Sequence, residues 1–437
     1  MTQSPVRGCR PGLLAAALAG ALCVPAAADE AQAVAWPQFH GSPAHRGVNM
    51  LEHGVGPGNA VGLSLKWQGL GNFSESGLVY RSSPAVADGL AYFGDVAGNL
   101  YAFAAAGCGQ GFCDPLWQAF LGEGIYNSPA VADGVVYVGT TSPQGALYAF
   151  PAAGCGSPVC AEPLWKSPPM LVSTSSPTVA GGVVYVGSSN GVYAFDADGC
   201  GSAVCPPLWT GQTAGPVDNS PAVAHGVVYA GGEDGKLYAF AASGCAAATC
   251  APLWKGTVGA AIYTSSPAVA NGLVYVGSYW DGKLNVFAAG GCGAPTCAPL
   301  WKGAAGTYVD SSPAVTRDRV YIGSGDAEMK VFAAGGCGQA LCSPLWVGVM
   351  TGPQATIQSP PMVANGVVYV GENNNRVAAF PAGGCGQYAC DALWQFITQD
   401  PIVNSSPVLV NGTLYVTGTN FSATPVLYVF GLAGQAE

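Results

Sequence analysis

Short apolar runs alternate with turn residues along almost the whole chain. In the unit around Pro267, the run 266–270 is followed by Asn-Gly, the run 273–278 by Asp-Gly, and a third run covers 283–288. Asn-Gly and Asp-Gly between apolar runs are typical of β-hairpins, because both turn positions take positive φ. A fourth run, 299–302, follows a loop with two cysteines. The pattern predicts a four-stranded antiparallel meander and no helix.

This unit recurs along the chain at steps of 44 to 48 residues. Each copy begins with a Ser-Pro step, at Pro84, Pro129, Pro177, Pro221, Pro267, Pro313, Pro360 and Pro407. Four-stranded units of this length are typical of β-propeller blades. The first strand of a unit contains small residues and the fourth contains tryptophan. This order fits a propeller, because blades converge on a central axis, where the inner strands have little room and the outer strands have more. The middle strands, such as VVYVG at 135–139, are apolar on both faces, which fits sheets packed between neighbouring sheets.

The order of the tryptophans predicts how the ring closes. The outer-strand tryptophans are Trp67, Trp117, Trp165, Trp209, Trp254, Trp301, Trp346 and Trp394. Trp67 precedes the first Ser-Pro strand, and no tryptophan strand follows Phe430. We therefore expect the segment around 63–68 to supply the outer strand of the last blade, which removes open sheet edges. The predicted fold is an all-β, eight-bladed propeller of four-stranded antiparallel blades. Its predicted segments are a signal peptide (1–28), a lead-in (29–62), the propeller (63–430) and a tail (431–437).

The first residues predict export. Arg7 and Arg10 precede a short apolar stretch, 13–24, and three alanines at 26–28 form a small-residue cleavage site. The stretch is too short to serve as a membrane anchor. We expect a secreted or periplasmic protein without a transmembrane segment in the mature chain. Cleavage removes two arginines, so the net charge changes from −10 to −12. That charge argues against nucleic acid as a partner.

Fourteen of the cysteines form a regular series. Seven C-x4-C pairs lie between the third and fourth strands: Cys108/Cys113, Cys155/Cys160, Cys200/Cys205, Cys245/Cys250, Cys292/Cys297, Cys337/Cys342 and Cys385/Cys390. An export signal and an even number of cysteines favour disulfides. Zinc, the alternative, normally takes four ligands, and these loops contain no histidine and should lie apart on the outer rim. We predict seven disulfides and no metal site.

Strand alternation predicts one monotonous and one variable face. The loops before the first strands and those after the second strands share a face around the mouth of the central channel, and they differ from blade to blade. Variation on a repeated frame is where a binding site is expected. The alternative to a binding role is that Asp and Asn occur in these loops because they form turns. The candidate ligand-face residues are Arg81, Glu233, Trp280, Asp281, Asp310, Asp326 and Glu372.

Histidine is too scarce to support a catalytic arrangement. The four histidines are His40, His45, His53 and His225. His225 stands where other units have the Asp or Asn of a hairpin turn, so we interpret it as a turn residue. No Ser-His-Asp arrangement, haem-attachment motif or glycine-rich phosphate loop can be argued, and no catalytic residue is assigned.

The repeat resembles that of the pyrroloquinoline-quinone-like (PQQ-like) propellers. The unit SPAVAHGVVYAGGEDGKLYAF and the lead-in AWPQFHGSPAHRGVN (35–49) are similar to segments of that superfamily, and the resemblance covers about 35–430. The superfamily contains quinone-dependent alcohol and sugar dehydrogenases and non-enzymatic members, such as the propeller lipoprotein of the outer-membrane barrel assembly machine. Here seven cysteine hairpins replace the usual Asp-x-x-Thr-Gly turn, and the adjacent cysteine pair common in the dehydrogenases is missing. The resemblance therefore transfers no catalytic residue.

Two functions remain from the sequence. The first is a secreted, non-catalytic, monomeric scaffold that binds a protein, glycan or small ligand on its variable face and needs no cofactor. The alternative, implied by the resemblance, is a soluble PQQ- and Ca²⁺-dependent alcohol or sugar dehydrogenase. It would hold the quinone near Trp280 and use a carboxylate such as Asp326 or Glu372 as its base.

Overall fold

A computed structural model of the chain describes residues 35–71, 81–350, 356–398, 401–402, 404–418 and 426–434. The predicted signal peptide, the start of the lead-in and the last three residues lie outside these ranges, so the predicted segment boundaries stay predictions. In the described ranges, no helix has the length and hydropathy that crossing a bilayer requires.

The described strands form eight sheets, and each is an antiparallel meander from an inner to an outer strand. The inner strands are Ala85–Ala87, Ala130–Ala132, Thr178–Ala180, Ala222–Ala224, Ala268–Ala270, Ala314–Val315, Met362–Ala364 and Val408–Val410. The second strands are Leu90–Gly94, Val135–Gly139, Val183–Ser188, Val227–Gly231, Leu273–Ser278, Arg319–Gly323, Val367–Glu372 and Thr413–Gly418. The third strands are Asn99–Ala104, Leu147–Pro151, Gly191–Asp196, Lys236–Ala241, Lys283–Ala288, Glu328–Ala333, Arg376–Pro381 and Val426–Leu432. We number the blades 1 to 8 in this order, and the predicted eight-bladed propeller is confirmed.

The outer strands confirm the predicted ring closure. They are Trp117–Phe120, Trp165–Lys166, Trp209–Gln212, Trp254–Thr257, Trp301–Ala304, Trp346–Val349 and Trp394–Ile397 in blades 1 to 7, and Leu63–Leu70 in blade 8. The strand Leu63–Leu70 pairs antiparallel with Val426–Leu432, with Trp67 opposite Val429. The register shifts between Leu65 and Trp67, so this strand contains a bulge that the other outer strands lack.

The lead-in covers the inner edge of every blade, which the sequence did not indicate. It contains the short 3₁₀ helices Phe39–Gly41 and Ala60–Gly62 and the strand Val48–Asn49. Its backbone, with the side chains of Gln38 and Asn49, hydrogen-bonds to one residue of each inner strand in turn. These residues are Val86, Val131, Val179, Val223, Val269, Val315, Val363 and Leu409. Each inner strand, which would otherwise be a sheet edge, therefore has the lead-in as a hydrogen-bonding partner on its second side.

The cysteine hairpins cover the outer edges. All seven predicted disulfides are present, with Cα–Cα distances of 5.5 to 5.7 Å. The second cysteine of a hairpin pairs in parallel with the outer strand of the preceding blade, as Cys250 does with Gly211. The hairpin strands are Phe112–Cys113, Thr249–Cys250, Thr296–Cys297, Leu341–Cys342 and Ala389–Asp391. Single parallel bridges pair Val159 with Gln118 in the outer strand of blade 1 and Val204 with Lys166 in the outer strand of blade 2.

The two cysteines of each pair differ in exposure. The first cysteine of every pair is exposed, whereas the second is buried. The buried cysteines are Cys113, Cys160, Cys205, Cys250, Cys297, Cys342 and Cys390. Cys160 belongs to the same apolar cluster as Trp117 of the preceding blade, as Cys205 does with Trp165 and Cys390 with Trp346. The hairpins thus lie at the outer edges of the blades, and the second cysteine is buried there because pairing with the preceding blade covers it.

Tyrosine and tryptophan connect neighbouring blades. The hydroxyl of Tyr92 and the indole Nε1 of Trp117 both donate to the Ala152 carbonyl of blade 2, each at 3.0 Å. Gly154, at φ +84°, lies against this indole, and a Cβ there would be 2.7 Å from Trp117 Cδ1. The Tyr–carbonyl contact recurs at Tyr137, Tyr185, Tyr229, Tyr275, Tyr321 and Tyr415. The large apolar residues of each blade thus also position the next blade.

Candidate functional site

The loops that vary in sequence lie together on one end of the propeller. The Ile125 amide donates to the Asp95 carbonyl (2.9 Å), and the Gly325 amide donates to the Tyr308 carbonyl (3.1 Å). The first bond joins the loop after the second strand of blade 1 to the loop that leads into blade 2, and the second joins the corresponding loop of blade 6 to the loop that leads into blade 6 itself. We call the surface formed by these two sets of loops the variable face.

The central channel is closed beneath this face. The backbone amide of the serine before the inner-strand proline donates to the serine Oγ of the next blade, as Ser83 does to Ser128 and Ser406 does to Ser83 (2.9 and 2.8 Å). Phe39 of the lead-in lines the same channel. The cavity that remains is about 30 Å³, room for about one water. A ligand of this face therefore binds on its surface, not inside the channel.

A hydrogen-bonded network crosses the channel mouth and contains two predicted site residues. Asp310 is 7% exposed. Its carboxylate accepts from Thr264 Oγ1 (2.7 Å) and from Gln358 Nε2 (3.3 Å). The Asn404 amide donates to the Gln358 carbonyl oxygen (3.0 Å) and accepts from Arg81 Nε (3.1 Å). Five neighbouring inter-blade loops are joined in this way, so Arg81 and Asp310 fix the shape of the mouth.

Two other predicted carboxylates form ion pairs within their own blade. Asp326 lies 3.0 Å from Lys330 Nζ, and Glu372, which is buried, lies 3.8 Å from Arg376 Nη1. In both pairs the two residues are four apart in sequence and are brought together by the turn between the second and third strands of the blade. These contacts match the turn-forming role that the sequence left open for the acidic residues.

Glu233 and Asp281 occur in the second-to-third loops of blades 4 and 5. Burial, together with a side-chain hydrogen bond with Asp218 and the negative charge of that carboxylate, raises the pKa of Glu233 to about 7. Asp281 accepts a short hydrogen bond from Ser278 Oγ. Glu233 is thus partly protonated near neutral pH, whereas Asp281 stabilises its own turn.

Four aromatic side chains collect on the variable face at blade 5. Tyr279 lies edge-on to Trp280, with ring centroids 4.8 Å apart and planes at 89°, and Tyr263 is inclined at 74° to both rings. Tyr308 adds a fourth ring, 5.0 Å from Tyr279. Trp280 is 69% exposed. We call Tyr263, Tyr279, Trp280 and Tyr308 the aromatic corner. The strand order of the repeat already places these tyrosines on the same face as Trp280, and the structure adds the contacts between the rings.

The residues around Trp280 do not fit a calcium-held quinone. Ca²⁺ takes six to eight oxygen ligands. In the described part of the chain, no three His, Cys, Asp or Glu side chains come together in a geometry that could hold a metal ion. Asp326 and Glu372, the predicted bases, are each paired with a cation.

The fold defines the class of protein: the chain is an eight-bladed β-propeller, and its repeat is similar to that of the PQQ-like propellers. A family model described as the outer membrane protein assembly factor BamB matches residues 161–246. No curated protein matches the chain in sequence. BamB from Moraxella catarrhalis superposes with a TM-score of 0.60 at 17% identity, over 86% of this chain and 99% of that one.

Two enzymes share the fold at similar TM-scores and sequence identities. Quinohemoprotein alcohol dehydrogenase from Comamonas testosteroni superposes with a TM-score of 0.66 at 14% identity, over 92% of this chain and 81% of that one. A europium-containing methanol dehydrogenase superposes with a TM-score of 0.64 at 13% identity, over 91% and 98%. At these identities the likeness is one of fold, and function must be argued from the site.

Proposed function

We propose that this protein is a secreted, non-catalytic binding propeller whose ligand docks on the variable face, with the aromatic corner at its centre. One observation carries the proposal: Trp280 is 69% exposed in a loop that departs from the repeat. Large exposed aromatic side chains are enriched where proteins bind partners and ligands. In the described loops of the variable face, no other large apolar side chain is as exposed.

Rigidity supports this role. The rings of Tyr263 and Tyr279 contact Trp280, and the hydrogen-bonded network of Asp310 and Arg81 fixes the loops beside them. A site whose side chains are already ordered loses less conformational entropy when it binds. Seven disulfides suit an oxidising compartment, which agrees with the predicted export signal.

A photo-crosslinking experiment tests the proposal. A benzoylphenylalanine replaces Thr307, an exposed residue beside Tyr308, in the mature chain. The matched control places it at Tyr388, which is 60% exposed on the cysteine hairpin of blade 7. After irradiation in an extract of exported proteins and metabolites, we expect an adduct at 307 that Trp280→Ala removes. No adduct at 307, or one that Trp280→Ala leaves unchanged, contradicts the proposal.

The dehydrogenase alternative has its own test. The folded protein is incubated with PQQ and Ca²⁺ and assayed for dye-coupled oxidation of alcohols and sugars, with the quinone absorption band followed in parallel. We expect neither activity nor a bound-quinone spectrum, because Asp326 and Glu372, the carboxylates that this alternative would use as a base, are each paired with a cation of their own blade. Turnover that depends on both additives would replace the binding proposal with an enzymatic one.

A further inference from the structure

We propose that the aromatic corner binds a quaternary ammonium group, carried by a small molecule or a lipid headgroup. This inference rests on the proposed function and names the chemistry of its ligand. It is argued from the ring geometry, from the charges beside the rings and from the side chains that the face does not expose.

The ring planes support the inference first. Tyr263, Tyr279 and Trp280 are mutually inclined at 74°, 74° and 89°, with centroids 4.8 to 6.4 Å apart. Three ring planes that are steeply inclined to one another form a concave corner. The face of an aromatic ring is the negative end of its quadrupole and attracts a cation within about 6 Å of the centroid, most strongly for Trp. A corner of this kind can present several ring faces to one compact cation.

The charges beside the corner favour a cation. Asp281 directly follows Trp280, and the negative charge of Asp310 acts on Tyr279. Arg81 also acts on Tyr279, with opposite sign and less effect than Asp310. Its guanidinium Nε donates to Asn404, so it belongs to the mouth network. The chain as a whole has a net charge of −10. A positive ligand therefore meets a favourable field on approach.

The surrounding surface favours a methylated cation over an aliphatic ligand. In the described loops of the variable face, no aliphatic side chain is strongly exposed. An aliphatic ligand would find no apolar pocket beyond the rings. A primary ammonium group is strongly hydrated. It gives up this water readily only where hydrogen-bond acceptors take its place, and ring faces are poor acceptors. A quaternary ammonium has no N–H to satisfy, and its methyl groups pack against the rings while its charge is retained.

The test measures binding of tetramethylammonium and of choline to the whole mature protein by calorimetry. The matched ligand is 3,3-dimethylbutan-1-ol, which has the shape of choline without its charge. We expect both cations to bind and the neutral alcohol to bind at least tenfold more weakly. Trp280→Leu and Tyr279→Leu should each weaken choline binding about tenfold, and the exposed control Tyr388→Leu should leave it unchanged. Circular dichroism checks that each variant is folded.

A second arm separates the sources of the group. Vesicles of phosphatidylcholine and of phosphatidylglycerol are sedimented with the protein. Retention on phosphatidylcholine alone, lost in Trp280→Leu, assigns a lipid headgroup, whereas choline binding without retention assigns a free small molecule.

The outcomes that overturn the inference are distinct from those that overturn the proposed function. Equal binding of choline and its neutral isostere, or no binding of either cation, overturns the quaternary ammonium assignment. If the photo-adduct at 307 still depends on Trp280, the face remains a binding surface for another ligand. If the adduct is absent as well, both proposals are wrong.

Discussion

Two buried histidines of the lead-in lie at the centre of the propeller. His40 stacks on Phe39 with ring centroids 4.5 Å apart, and His45 Nε2 lies 2.9 Å from Thr178 Oγ1 in blade 3. Burial lowers the pKa of His40 to about 4 and that of His45 to about 3, the latter also through the charge of His40. Both imidazoles are therefore neutral in the folded protein at neutral pH, and charging them opposes folding.

The free energy of unfolding should fall as the pH drops from about 6.5 toward 3. Over this range the unfolded chain binds protons on both imidazoles, whereas the folded chain resists them until its lowered pKa values are reached. Each pKa unit is about 1.4 kcal/mol, so His40 alone accounts for roughly 3 kcal/mol. Urea unfolding at pH 7 and pH 4 measures the change.

The histidine variants that test this assignment keep the unusual backbone. His40 and His45 have φ of 53° and 51°, a region that Asn tolerates. His45→Asn should reduce the loss of stability between pH 7 and pH 4. His225→Asn is the control, because His225 is an exposed turn residue at φ 50°. If both variants show the wild-type pH dependence, the buried imidazoles do not cause it.

The carboxyl pair of the variable face gives a second prediction at this scale. Burial and the neighbouring Asp218 raise the pKa of Glu233 to about 7. Asp218→Asn removes the negative charge, so the pKa of Glu233 should fall, though burial keeps it above its ordinary value. Titration of the Glu233 side-chain carboxyl carbon by NMR measures this. A pKa that does not move in Asp218→Asn would assign the whole shift to burial.

At the scale of the element, the cysteine hairpins act on the blade before their own. Thr249 and Cys250, which follow the third strand of blade 4, pair with Thr210 and Gly211 in the outer strand of blade 3. An outer strand has unpaired backbone groups on one side, and such edges promote unwanted pairing. The disulfide holds the hairpin in shape, so it protects an edge that its own blade does not contain.

Replacing Cys245 and Cys250 together by serine should lower the free energy of unfolding by about 2 kcal/mol, since a short closed loop is released. The local effect of this double substitution on backbone hydrogen exchange is a more specific test. Amide hydrogen exchange should accelerate in Trp209–Gln212 of blade 3 and stay unchanged in Trp254–Thr257, the outer strand of the hairpin's own blade. Faster exchange in Trp254–Thr257 alone would contradict the proposed protection between blades.

At the scale of the whole molecule, the lead-in completes the ring from within. Its backbone and the side chains of Gln38 and Asn49 hydrogen-bond to one residue in each of the eight inner strands. Buried backbone amides that lose a partner are costly, at about 1 kcal/mol or more each. The lead-in therefore stabilises all blades together, whereas the strand Leu63–Leu70 joins only the two ends of the chain.

Deleting residues 1–49 should lower the melting temperature strongly or prevent folding, because the inner strands lose their partners. Deletion of 1–34, which leaves the contacts from Trp36 onward, is the matched control and should melt like the mature protein. A milder variant, Gln38→Ala, removes only the side-chain bonds to Val179 and should cost about 1 kcal/mol. Equal melting of both deletions would show that the lead-in is dispensable.

The sequence alone determined the features that repeat. A four-strand pattern with the same turn residues and the same tryptophan occurs eight times, so the number of blades, the closing role of Trp67 and the seven cysteine pairs could all be predicted. These features follow from local periodicity and from position within a repeat. Each copy confirms the others, which makes the signal strong.

Only the tertiary structure decided the features that depend on contacts between distant segments. Gln38 meets Val179 across 141 residues, and Tyr263 meets Trp280 because the loop that leads into blade 5 and the loop after its second strand come together. The sequence marks neither contact, since each depends on how the ring places distant segments side by side. It likewise could not tell that Asp326 and Glu372 pair with neighbouring cations, while Trp280 lies in the open among tyrosines. Nor could it tell that the second cysteine of each hairpin is buried against the preceding blade. Local pattern fixes the blade, and the geometry of the closed ring fixes the site.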